Sequence, residues 1–117
     1  MLFVCYPRCS TCRKARDWLD ERGVSYDFRD IKLDNPSYDE LKSWIKASGL
    51  PARKFFNASG TLYKSLNLKE KLTNMSDDEQ IQELSKDGML VKRPLVVGDG
   101  FTLVGFKEKE WEERFKV

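Results

Sequence analysis

The sequence predicts an α/β fold built on a mixed sheet, and three runs of residues predict it. A strand–helix–strand pattern opens the chain, helical segments fill its middle, and a strand–turn–strand–helix pattern closes it.

Leu2-Phe3-Val4-Cys5-Tyr6 is a short apolar run stopped by Pro7, which reads as a buried strand. From Ser10 to Arg22 the spacing becomes helical, with Ala15, Trp18 and Leu19 on one face and Gly23 placed for a left-handed stop. Val24, Tyr26 and Phe28 alternate with polar residues, predicting a second strand that runs to about Ile31. A helix-length crossover between two strands makes them parallel neighbours, with a right-handed connection expected. Ser37-Tyr38-Asp39-Glu40 and Ser76-Asp77-Asp78-Glu79 are capping boxes, in which the serine and the glutamate satisfy each other's end of the helix. The first leads to Leu41, Trp44 and Ile45 and closes at Gly49; the second leads to Ile81 and Leu84 and is expected to end at Gly88. Residues 53–56 and 62–66 read as short helical turns between them. Pro94 to Val97 is a buried strand, Gly98-Asp99-Gly100 a tight turn, and Phe101 to Val104 the returning strand. Trp111 and Phe115 form one apolar stripe on a closing helix. The order is β-α-β, a helical insert at about 36–90, then β-β-α. It predicts one thioredoxin-like domain over residues 1–117, an α/β sandwich with a mixed sheet.

Composition narrows the chemistry. Charged residues make up 34% and the net charge is only +2, so no broad electrostatic footprint for direct nucleic-acid binding is expected. No apolar run approaches the roughly 20 residues of a membrane span. The opening residues carry Pro7, Arg8 and cysteines rather than a signal peptide, which leads to the expectation of a cytoplasmic protein. Histidine is absent, which excludes Ser-His-Asp and Cys-His machinery, histidine-ligated zinc and a histidine base. Chemistry must use thiols, carboxylates, lysine or arginine.

All three cysteines fall between positions 5 and 12, loops too short to staple a fold. Cys9-Ser10-Thr11-Cys12 spans the first turn of the predicted helix, whose unpartnered N–H groups favour a thiolate. A thiolate is the nucleophile of disulfide exchange, and a second cysteine nearby can release the product. Cys9 is therefore expected as nucleophile and Cys12 as resolver. Arg8, Arg13, Lys14 and Arg16 crowd a helix end that ordinarily draws acids, as they would if an anion or substrate sat there. Arg13 is the candidate substrate contact among them; the alternative is solvated i, i+4 pairs, Arg13 with Asp17 and Arg16 with Asp20. The spacing Cys5-x-x-x-Cys9-x-x-Cys12 also matches an iron–sulfur motif, but the chain is too small for the partial barrel of such enzymes and Cys5 lies inside a strand. Cys5 reads as a small buried apolar residue, and neither metal nor cofactor is expected. Arg93-Pro94, immediately before a buried strand, is the second candidate substrate site. A cis bond there would turn the backbone beside the dithiol, and Arg93 could hold an anion; the alternative is a trans proline opening a strand with Arg93 exposed.

These residues resemble the Spx/ArsC family, which joins glutaredoxin-like arsenate reductases to Spx-type redox regulators. The resemblance spans nearly the whole chain. It rests on Tyr6-Pro-Arg-Cys9-Ser-Thr-Cys12-Arg-Lys-Ala15, on Phe56-Asn57 and Leu66-Asn67-Leu68, and on Leu90-Val-Lys-Arg93-Pro-Leu-Val-Val97 with Gly105-Phe106. It implies a thiol–disulfide oxidoreductase with Cys9 as the catalytic cysteine, served by glutaredoxin, thioredoxin or a low-molecular-weight thiol. Of the arginine triad that binds arsenate in the family, only Arg93 is matched; Asn57 and Gly105 stand at the other two positions, and Cys12 stands where those enzymes have serine. Loss of two charged donors would weaken oxyanion binding by several kcal/mol, on the order of 1.5–3 each. The regulator branch implies the alternative: a redox switch on the same cysteine pair, acting on the RNA polymerase α subunit.

Overall fold

The computed structural model describes residues 1–116. Four strands, β1 (Leu2–Cys5), β2 (Asp27–Asp30), β3 (Leu95–Gly98) and β4 (Phe101–Val104), form one sheet in the order β2-β1-β3-β4. Leu2 lies opposite Asp27 in the parallel β1–β2 pair, while Phe3 lies opposite Val96 in the antiparallel β1–β3 pair. β3 and β4 are an antiparallel hairpin. The sheet is mixed and the fold α/β, as the sequence predicts.

Among the described residues six α-helices flank it: α1 (Ser10–Glu21), α2 (Tyr38–Ser48), α3 (Thr61–Ser65), α4 (Leu68–Lys71), α5 (Asp77–Ser85) and α6 (Glu108–Phe115). Alternation along β1 decides what each face buries. Phe3 and Cys5 point to one side, where Ala15, Trp18 and Leu19 of α1 and Trp111 of α6 pack with Val96 and Leu103. Val4 points to the other, toward Leu41, Trp44 and Ile45 of α2, Ile81 and Leu84 of α5, Leu95 and Val104. Burial of side chains this large stabilises by about 1.5–3 kcal/mol each. The α1 face adds edge-on aromatic contacts, Trp18 with Trp111 at 5.6 Å and Phe106 with Trp111 at 4.8 Å.

Local signals set most helix ends. The capping boxes at Ser37 and Ser76 are both formed. Helix α1 ends in a Schellman motif: the Val24 N–H donates to the Leu19 carbonyl at 3.0 Å, the Gly23 N–H donates to Asp20, and Gly23 has φ 68.

Three expectations are corrected, and one element is added. Strand β2 begins at Asp27, because Val24 and Tyr26 pack into the α1 face rather than pairing. Phe28 sits exposed on this edge strand beneath the Arg16 guanidinium, 4.5 Å from the ring centroid. Helix α5 stops at Ser85, and Gly88 instead opens a 3-10 turn where a Cβ would collide with the Ile31 carbonyl. Strand β3 starts at Leu95, one residue after the predicted Pro94. Helix α4 and a 3-10 turn at Leu72–Asn74 follow Asn67, whose φ of 54 redirects the chain.

Candidate active site

The start of α1 differs from the starts of α2 and α5. Those helices carry serine at the N-cap, glutamate three residues on, and further acids in the first turn. Helix α1 has Cys9 at the N-cap, Cys12 three residues on, no acid in the first turn and no side-chain cap. Its open N–H groups face a thiol instead of a hydroxyl. Cys9 is half-buried with a free thiol. Burial pushes that thiol up; the backbone N–H groups of Cys12 and Thr11 and the Arg93 guanidinium outweigh it and hold the thiol below its ordinary value.

Cys9 opens onto a cleft of about 770 Å³ whose walls include Thr11, Asn57, Lys92, Arg93, Gly105 and Lys107. A backbone clamp places Asn57 and Lys92 there. The Asn57 N–H donates to the Leu90 carbonyl at 2.8 Å, and the Lys92 N–H to the Phe55 carbonyl at 2.7 Å. Arg93 is half-buried, lies 5.5 Å from the centroid of the Tyr6 ring, and donates to the Met89 and Val91 carbonyls at 3.5 and 3.4 Å. Its Nε is buried with no hydrogen-bond partner among the described residues.

The disposition of the cysteines departs from the sequence reading. Cys12 is bonded to Cys5, with the Cα atoms 5.8 Å apart, inside the usual disulfide range of about 4.4–6.8 Å. Cys5 is thus a disulfide partner rather than an apolar filler. The reason is the pleat: Cys5 points to the α1 face of the sheet, and Cys12 begins the inward stripe of α1 that continues through Ala15 and Leu19. Both are sealed, Cys5 at 0% and Cys12 at 3% exposure. The Tyr6 N–H also donates to Cys12 Sγ at 3.3 Å.

The other candidate residues divide. Arg93 shares the cleft with Cys9; Arg13 does not line it, because its guanidinium folds back to donate to the Arg8 carbonyl at 3.3 Å on an exposed helix face. Arg16 likewise meets Asp20 through Tyr26: the Arg16 Nε donates to the Tyr26 hydroxyl, which donates to Asp20 Oδ1 at 2.7 Å. The Arg93–Pro94 bond is cis. Pro94 is buried, does not line the cleft, and its carbonyl accepts from the Gly105 N–H at 2.9 Å. Lys92 and Lys107 were not singled out by the sequence, where they are two among many lysines; only the fold brings them to the cleft.

The sheet order, the flanking helices and a thiol at the mouth of the first helix define a thioredoxin-like protein. Residues 5–114 match the model of the ArsC family, and the chain belongs to that family. It is 50% identical over 115 residues to the uncharacterized protein YusI of Bacillus subtilis, covering 98% of each chain. A solved structure from Bacteroides fragilis, described as ArsC family related, superposes with a TM-score of 0.94 at 56% identity, covering 96% of this chain and 94% of that one. The global transcriptional regulator Spx of Listeria innocua is 27% identical over 104 residues, 89% of this chain and 78% of the regulator.

Proposed function

We propose that this protein is a cytoplasmic thiol–disulfide oxidoreductase of the ArsC family, with Cys9 as nucleophile and Cys12, once freed from Cys5, as resolver. The observation that carries the reading is the free Cys9 thiol at an uncapped helix start, held below its ordinary pKa and facing a cleft it shares with Arg93. In the reduced chain the Cys9 thiolate attacks one sulfur of a partner disulfide, forming a mixed disulfide and releasing the other sulfur as a thiolate. Cys12 then attacks Cys9 Sγ and expels the second partner thiolate. The partner's disulfide gains two electrons, and one protein disulfide replaces two thiols. Glutaredoxin, thioredoxin or a low-molecular-weight thiol would return the electrons. Arsenate fits less well, because the neutral Asn57 and Gly105 occupy cleft positions where the resemblance calls for arginine.

Reduced protein should turn over 2-hydroxyethyl disulfide. Activity is expected to vanish in Cys9→Ser, while Cys12→Ser accumulates a mixed disulfide on Cys9 detectable by intact mass. Full turnover by Cys9→Ser would overturn the assignment.

The likeness to Spx supports a second reading, a regulator whose contact with the RNA polymerase α subunit follows the redox state of the same cysteines. Redox-dependent co-purification with the α subunit, without disulfide turnover, would favour it.

A further inference from the structure

We infer that Cys5 is a third redox residue, and that oxidation begun at Cys9 is passed inward through Cys12 to end as the buried Cys5–Cys12 disulfide, leaving Cys9 free. The inference rests on the assignment of Cys9 as nucleophile and extends it to a cysteine outside the C-x-x-C motif.

Three observations carry it. The bond in the structure joins Cys5 and Cys12, whereas the motif residue Cys9 is the free thiol. Both bonded cysteines are sealed from solvent, so an external disulfide or thiol has no direct route to them. Cys9, by contrast, is half-buried at the cleft, separated from Cys12 by less than one helical turn. An oxidised pair that nothing outside can touch must exchange through a neighbour that can be touched, and Cys9 is that neighbour.

The step is a thiol–disulfide exchange. After the partner disulfide has been reduced, the protein holds a Cys9–Cys12 disulfide and a Cys5 thiol. Cys5, as thiolate, attacks Cys12 Sγ; the Cys5–Cys12 bond forms, the Cys9–Cys12 bond breaks, and the electron pair leaves with Cys9 as thiolate. The proton given up by Cys5 goes to solvent or to Cys9, and no further oxidant is needed. Cys9 is the better leaving group because helix N–H groups and Arg93 stabilise its anion. Recovery runs backward: Cys9 attacks Cys12, frees Cys5, and exposes the Cys9–Cys12 bond to an external thiol. The oxidised chain therefore lacks its resolver while keeping its nucleophile, a form that captures a partner as a mixed disulfide without releasing it.

Trypsin separates the two bonding patterns, since cleavage after Arg8 and Arg13 puts Cys5 on peptide 1–8 and both Cys9 and Cys12 on peptide 9–13. Fully reduced protein would be oxidised with 2-hydroxyethyl disulfide, blocked with iodoacetamide and mapped without reduction. The expected result is peptide 1–8 linked to peptide 9–13 with Cys9 alkylated. In Cys5→Ala the link should be lost, the bond should remain within peptide 9–13, and Cys9 should no longer alkylate. A wild-type bond confined to peptide 9–13 would overturn the inference while leaving disulfide turnover, and hence the proposed function, intact. Formation of the Cys5–Cys12 link at the wild-type rate in Cys9→Ser would also overturn it, because oxidation would then bypass Cys9. Absent turnover in wild type, by contrast, would count against the oxidoreductase itself.

Discussion

The lowered pKa of Cys9 follows in part from what its neighbours lack. With no acid in the first turn of α1 and no side-chain cap, the helix N–H groups and Arg93 have the thiolate as their partner. Oxidised protein leaves Cys9 as its free thiol, so its alkylation rate against pH reports one group. A pKa below the ordinary thiol value means that more thiolate is present at neutral pH than in a free cysteine. Arg93→Ala removes an attraction that acts only on the charged form. The midpoint should therefore move up and the neutral-pH rate should fall, while the Cys12 and Thr11 N–H groups keep part of the effect. An unchanged midpoint would show that the helix start alone sets the pKa. Arg13→Ala, at a residue turned toward the Arg8 carbonyl, should leave the rate close to wild type.

Single elements carry their own expectations. Arg29 of β2 grips Glu40 of α2 with both terminal guanidinium nitrogens, Nη1 and Nη2, at 2.5 and 2.9 Å, while Glu40 also accepts from the Ser37 N–H. The Arg29 hydrogen bonds hold the Glu40 carboxyl at about 2, below its ordinary 4.5. Its contribution to stability is thus complete above pH 4.5 and is lost as pH falls toward 2. The Glu40 side chain is 38% exposed, and with that screening the pair is worth about 1 kcal/mol. Urea midpoints measured between neutral pH and pH 3 should converge for wild type and Glu40→Gln as the pH drops; a constant gap would point to packing instead. In the loop after β4, Gly105 has φ 77, and a Cβ would come within 3.3 Å of Lys92 Cε. Gly105→Ala should cost about 1–2 kcal/mol, read as a lower urea midpoint. An arginine at this position would meet the same backbone penalty.

At the scale of the whole molecule, α6 closes the α1 face of the sheet through Trp111. Its ring is fully buried, packs edge-on against Trp18 and Phe106, and its Nε1 donates to the Gly105 carbonyl at 3.2 Å. That bond ties the last helix to the cleft wall. Trp111→Ala should cost about 3–5 kcal/mol, seen as a large drop in Tm, and should loosen the cleft at Gly105. A loss under about 1 kcal/mol, the range of surface changes, would mean that α6 contributes little to the fold.

The sequence by itself determined what depends on neighbours along the chain. Capping boxes, the Gly23 stop, the hairpin at Gly98–Gly100 and the apolar stripes each act within a turn or two of helix or strand. With connection rules they were enough for the mixed α/β sheet. Cys9 and Arg93 could be picked out as well, one by its place before a helical run and the other by its proline. What only the tertiary structure decided depends on distance through space. The pleat of β1 sends Cys5 beneath α1, against Cys12, instead of leaving it as inert core. A hint lay in the parity Phe3–Cys5 facing the stripe Cys12–Ala15–Leu19, but parity tells which residues share a side, not which side of the sheet the helix crosses. The β-bridge between Phe56 and Val91 brings Asn57 and Lys92 to the cleft from positions more than thirty residues apart. Arg13 left the site for a similar reason: its side chain found the nearer carbonyl of Arg8. Local signals choose elements because their energy is spent within a few residues; partners across the core are chosen by how the finished elements stack.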